Sequence, residues 1–199
     1  MTAREGKLEK GLSFFHKMYY NNYSCKKSST VRGRGVEMSK ICCFTGHRKI
    51  SREDMLRLPE ILDKILESLI WQGVSTFRAG GAIGFDTVAA LTVLEKKTVH
   101  PEITLELELP CKDQTNGWGE SDKRAYEYIL SRADKISYTC EKYRKGCMLE
   151  RNRRLVGGAD FCVAFCSSDS GGSAYTLNHA KEKGLTVINI YDIVKVINK

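Results

Sequence analysis

From Lys40 onward the chain alternates short apolar runs with longer helix-like segments. Alternation of this kind is the signature of βαβ units on a mainly parallel sheet. Six runs read as strands: Lys40 to Thr45, Val74 to Ala79, Ile103 to Leu109, Lys135 to Tyr138, Asp160 to Phe165 and Thr186 to Tyr191. After the first, Ser51-Arg52-Glu53-Asp54 has the form of a capping box with its acidic member shortened to Asp. Leu58, Ile61, Leu62, Ile65, Leu66 and Leu69 follow at helical spacing. Pro59 either kinks this helix or marks its true start, because proline suits the first helical position and disturbs the interior. Further helices are expected from Phe85 to Lys96, Lys123 to Arg132, Cys147 to Val156 and Ser173 to Lys183. The fold class is therefore α/β, with about six mostly parallel strands and helices on both faces.

A chain of 199 residues that is 42% hydrophobic and 28% charged can bury the core of one such domain and is not disordered throughout. Its longest uncharged apolar stretches, Ser68 to Phe77 and Phe161 to Ser168 among them, fall short of the roughly 20 residues of a membrane span. No transmembrane helix and no membrane partner are expected. The net charge of +8 is unevenly spread. Residues 1–37 hold Arg4, Lys7, Lys10, Lys17, Lys26, Lys27, Arg32 and Arg34 against Glu5, Glu9 and Glu37, a net of +5 that leaves +3 for the remainder. We read residues 1–37 as a basic N-terminal arm, either disordered or upstream of a true start at Met38, with room for one short helix from Gly11 to Tyr20. The domain itself spans residues 38–199. With so little charge of its own, it is not expected to take nucleic acid as a partner.

Of the eight cysteines, Cys42, Cys43, Cys162 and Cys166 lie in apolar runs, where a thiol behaves as a small hydrophobe. The chain has no CxxC pair, no standard metal-ligand spacing and no signal peptide pattern. Reduced thiols, a cytoplasmic location and no metal are expected, with Cys140 and Cys147 as the one candidate exposed redox pair.

Ligands of open parallel sheets bind outside the carboxyl ends of the strands, and the unusual residues of this chain fall there. The first loop is Thr45-Gly46-His47-Arg48. Gly46 permits close backbone approach, Thr45 can donate, Arg48 can fork a phosphate, and His47 can bind or titrate. A plain turn with a solvated histidine is the alternative. After the second run, Gly80-Gly81-Ala82-Ile83-Gly84-Phe85-Asp86 leads straight into a helix. Gly80, Gly81 and Gly84 clear space for a phosphate or ribose on that helix N-terminus, and Asp86 either stabilises the first turn or accepts from a ribose hydroxyl. The spacing is neither GxGxxG nor a P-loop. Trp118 either stacks on a ligand or anchors its loop. Arg151 and Asn152 lie on a helix aimed at the same crevice, Arg151 sharing a face with Arg154. Gly171-Gly172-Ser173 forms a phosphate cradle or a turn, with Asp169 or Ser173 placed to cap the next helix.

Taken in order, Thr45-Gly46-His47-Arg48, Gly80-Gly81-Ala82, Gly84-Phe85-Asp86, Ala89-Ala90, Pro110 with Gln114 and Trp118, Cys147-Met148 with Arg151-Asn152, and Gly171-Gly172-Ser173 resemble the YpsA-like family of the SLOG superfamily. The resemblance spans about Lys40 to Tyr191. It implies a Rossmann-like fold that binds nucleotide-derived ligands such as ADP-ribose or NAD-like molecules, often as a dimer. Two positions depart from the family pattern: Gly157 stands where an Asp is usual, and Ser173 where a Thr is usual. The related LOG phosphoribohydrolases resemble the chain at Glu150-Arg151 and Gly171-Gly172, yet rely on a glutamate soon after the glycines. Here Tyr175 to His179 holds no carboxylate, and Glu182 is the next.

The expected function is a cytosolic sensor that holds a nucleotide-derived ligand on Thr45, Gly46, His47, Arg48, Gly80, Gly81, Gly84, Asp86, Arg151, Asn152, Gly171, Gly172 and Ser173. One alternative is a nucleotide N-glycosidase with Arg151, His47 or Asp86 as catalytic candidates. Single-stranded nucleic-acid binding is a second.

Overall fold

The computed structural model describes residues 39–197, so the expectations for the arm and for a start at Met38 lie outside the described residues. Six strands and six helices alternate: β1 (Lys40–Gly46), α1 (Arg52–Trp71), β2 (Val74–Ala79), α2 (Phe85–Lys96), β3 (Thr104–Leu109), α3 (Glu120–Arg132), β4 (Lys135–Tyr138), α4 (Cys147–Val156), β5 (Phe161–Phe165), α5 (Gly172–Glu182), β6 (Thr186–Asn189) and α6 (Tyr191–Ile197). Every strand pairing is parallel, in the order β4-β3-β2-β1-β5-β6. The fold is thus α/β and Rossmann-like. No helix among the described residues is long and apolar enough to cross a membrane.

Period-two alternation on β1 builds two layers. Cys42 and Phe44 face the main core with Leu58, Leu62 and Ile65 of α1 and Val93 of α2. Cys43 turns to the opposite face, against Leu155 and Val156 of α4 and Ala180 of α5. The alternation on β2 places a charge in that second layer: Arg78 is buried, its Nε donating to Glu106 at 3.1 Å. Its Nη1 donates to the carbonyls of Arg154 and Leu155 at 3.4 Å and of Gly157 at 2.8 Å. One guanidinium therefore closes the carboxyl end of α4, where carbonyls lack helical partners and the dipole is negative.

Helix α1 opens as its capping box indicates, with Ser51 Oγ accepting from the Asp54 N–H at 3.1 Å. It runs through Pro59 without ending there. Both Pro59 and Met55, whose carbonyl loses its helical donor, are on the exposed side, where water replaces that donor. The last strand is shorter than its apolar run and ends at Asn189, paired with Ala164. The Asn189 Oδ1 accepts from the N–H groups of Cys166 and Tyr191, and its Nδ2 donates to the Cys166 carbonyl at 2.7 Å. Tyr191 then starts α6, a helix absent from the sequence reading, which Lys195 pins to Asp54 of α1 at 2.5 Å. Strands β1 to β4 step one way across the sheet and β5 and β6 lie on the other side of β1, so the loops after β1 and β5 diverge and open a crevice.

Candidate functional site

A cavity of about 210 Å³ occupies that crevice. Strand β1 and its loop supply Thr45, Gly46 and Arg48, and the passage into α2 supplies Ala82 and Asp86. Helix α4 contributes Met148, Arg151 and Asn152, and the start of α5 contributes Gly172, Ser173 and Thr176. Four separate stretches of chain therefore meet at one polar pocket.

Helix α5 begins after Gly171 with no side chain on its first-turn N–H groups, so neither Asp169 nor Ser173 caps it. Uncapped amide groups and the positive end of the helix dipole are left toward the cavity. Ser173 instead ties α5 to β1, its Oγ donating to the Gly46 carbonyl at 2.6 Å. From the opposite wall Asn152 Nδ2 donates to the Gly172 carbonyl at 3.4 Å.

The charges are concentrated on three groups. Asp86 is buried, accepts from the Ala82 N–H at 3.4 Å and lies 3.8 Å from Arg151 Nη1. Burial pushes its carboxyl above the usual aspartate value, while Arg151, the Ala82 amide and Arg48 pull the other way. Burial likewise lowers the Arg151 guanidinium, against the pull of Asp86. The Arg151 side chain is 8% exposed, and its Nε has no hydrogen-bond partner. Arg48 is exposed at the mouth. Two cations thus face one carboxylate.

The remaining predicted residues stand behind the wall. A Cβ on Gly80 would lie 1.8 Å from Arg151 Nη1, so this glycine makes room for the protein's own guanidinium. Gly84 has φ +83°, and a Cβ there would lie 2.4 Å from the Arg48 carbonyl, so the two loops close on each other through it. Gly81 also lies outside the wall, its backbone carbonyl accepting from Gln114 Nε2 at 3.1 Å. His47 joins the loops after β1 and β5: its Nε2 accepts from the Ser167 N–H at 2.8 Å, and its ring stands edge-on to Phe165 and Tyr191. Trp118 packs edge-on against Tyr126, an anchor for its own loop. The expected exposed pair of Cys140 and Cys147 is not formed. Cys147 is fully buried beside Cys111, whose thiol burial and Asp113 push up to about 12. Gly157 sits at the end of α4 against Arg78, outside the cavity wall.

Three wall residues were not among the expected ligand-binding ones: Ala82 and Met148, which stand in the family motifs, and Thr176. Met148 and Thr176 carry a further signal in their spacing, three before Arg151 and four after Gly172 on their helices.

The model of the YspA SLOG family matches residues 42–196. UPF0398 proteins of Bacillus thuringiensis strain Al Hakam and Bacillus cereus strain Q1 are each 28% identical over 130 residues, 64% of this chain and 71% of theirs. Among solved structures, DNA processing protein A from Streptococcus pneumoniae has a TM-score of 0.56 at 18% identity, covering 80% of this chain and just over half, 54%, of that one. DNA processing protein A from Helicobacter pylori, described for its single-stranded DNA binding mode, has a TM-score of 0.57 at 17% identity and covers 80% and 79%.

These neighbours correct the expectation that nucleic acid is not a partner, which rested on net charge. Net charge averages over the whole surface, whereas a strand responds to the local potential. At the carboxyl edge of the sheet Arg48, Lys49, Lys142 and Lys145 are exposed, as are Lys112 and Arg144, which pair with Glu141 at 2.7 Å and Glu150 at 2.8 Å. With the family model matched over most of its length and a parallel-sheet fold to carry it, the chain belongs to the YpsA (YspA SLOG) family.

Proposed function

We propose that this chain is a cytoplasmic binding protein for a nucleotide-derived ligand, held in the cavity between β1, α4 and α5. The observation that carries this reading is Arg151: a buried guanidinium with an unpartnered Nε, on a wall shared with the uncapped start of α5. Both features favour an anion. Asp86 supports a sugar beside it, as a carboxylate able to accept from a hydroxyl. Nucleoside phosphates, ADP-ribose and NAD-like molecules all present that combination. A reducing cytoplasm fits the described cysteines, whose thiols are free.

Ligand that binds only the folded state raises stability by about 2.7 kcal/mol at a hundredfold excess over Kd. Thermal unfolding of the full chain against AMP, ADP-ribose and NAD is expected to show such a rise with at least one of them. Arg151→Ala is expected to abolish it while still unfolding cooperatively. No rise with any compound overturns the reading, and release of free base during the assay makes the site hydrolytic.

A second reading, single-stranded nucleic acid, is favoured by the fold neighbour known for its single-stranded DNA binding mode and by the basic residues along the same rim. Fluorescence anisotropy with a labelled oligonucleotide tests it directly.

A further inference from the structure

The size and lining of the cavity narrow the ligand beyond the class proposed above, and this inference rests on that reading. At about 210 Å³ the cavity is smaller than the roughly 300 Å³ at which pockets enclosing drug-sized ligands begin. A dinucleotide cannot be enclosed there. None of the residues on its wall is aromatic, so a base finds no ring inside to stack on.

The wall instead matches a phosphorylated sugar. Arg48 and Arg151 stand against Asp86, a surplus of one positive charge, and the start of α5 adds roughly half a charge more. Glu108 lies behind this wall, where burial raises its carboxyl and so favours the neutral form, against the pull of Arg78 and Arg154. A phosphomonoester carries about −1.5 to −2 at neutral pH, which the surplus nearly cancels. The unpartnered Arg151 Nε and the uncapped α5 amides supply donors for its oxygens. Asp86, whose Oδ2 faces Arg151 and the Ala82 amide and which the Gly80 amide also reaches, is the one carboxylate on the wall for a sugar hydroxyl.

We propose that the cavity takes a terminal pentose 5-phosphate, phosphate and sugar enclosed and the base left outside. Two sources present that end, a free nucleoside monophosphate and the 5′ terminus of a single strand.

Isothermal titration of the full chain tests this with ribose 5-phosphate, AMP, adenosine, ADP-ribose, and one short oligonucleotide with and without a 5′-phosphate. Ribose 5-phosphate is expected to bind within about tenfold of AMP, and adenosine at least a hundredfold more weakly. A strand that gains tenfold or more from its 5′-phosphate identifies the strand end as the source. A strand bound at least tenfold more weakly than AMP, with or without that phosphate, identifies the free nucleotide. Binding of ADP-ribose without ribose 5-phosphate or AMP overturns the inference and leaves the broader reading standing, whereas adenosine binding as well as AMP overturns both, because the broader reading rests on an anion at Arg151. Failure of every compound overturns both.

Discussion

Gly80 and Gly84 stand four residues apart in one loop and do different work. At Gly80 an added Cβ would meet Arg151 Nη1 at 1.8 Å and Asp86 Oδ2 at 2.7 Å, ends of side chains rather than backbone. At Gly84 it would meet the Arg48 and His47 carbonyls, which are backbone and cannot rotate away, from a φ of +83° that L side chains rarely adopt. The two alanine substitutions should therefore separate. Gly80→Ala is expected to cost about 1 kcal/mol, the low end for overpacking, yet to displace Arg151 and cost ligand affinity tenfold or more. Gly84→Ala is expected to cost about 2–4 kcal/mol, from backbone strain and overpacking together. Urea unfolding and the thermal-shift response of the two variants read both quantities; equal stability losses would mean that the loops yield alike.

Helix α4 carries Met148, Arg151 and Asn152 to the cavity from one end, and at its other end Arg78 fixes it to the sheet. Arg78→Leu removes the donor to three terminal carbonyls and breaks the buried pair with Glu106. A loss of about 3 kcal/mol is expected, read as a lower urea midpoint. A neutral result would show that the α4 carbonyls find water. Most elements were legible beforehand because strand and helix periods alternate cleanly, and β2, β4, α2 and α4 fall where their apolar spacing puts them. The exceptions have local causes. The apolar run Thr186 to Tyr191 hides the Asn189 side-chain bonds that lie where β6 gives way to α6. That Thr45, Gly46, Arg48, Asp86, Arg151, Asn152, Gly172 and Ser173 come together was legible by residue type and loop position, since they line one cavity; that the cavity holds a ligand is the proposal made above. The roles of Gly80 and Gly84 were not legible, because a glycine that admits a ligand and one that admits a neighbouring side chain look the same in a sequence.

Across the molecule, carboxylates divide by the sign of their shift, and the division sets how stability follows pH. Asp86, in the cavity, is raised chiefly by burial, so its contribution is present below the usual aspartate range and lost as pH rises. Glu67, Glu106 and Asp134, away from the cavity, are lowered. Asp134 shows the cause most simply: burial opposes ionisation, but Lys97 at 2.6 Å and the Leu105 N–H at 2.7 Å outweigh it. A lowered carboxylate stabilises the fold above its unfolded value and loses that contribution as pH falls through the folded one. Bonds to a charged group contribute about 1.5–3 kcal/mol, discounted here to about 1 kcal/mol because Asp134 is a third exposed and screened. Asp134→Asn keeps an acceptor for Leu105 and removes only the charge. The variant is expected to unfold about 1 kcal/mol more easily at pH 7, with the gap closing as pH falls below the ordinary aspartate value of 3.8. Urea unfolding of both proteins from pH 7 down to pH 3 measures it. A gap that persists unchanged at the acid end would assign the role of Asp134 to its shape rather than its charge.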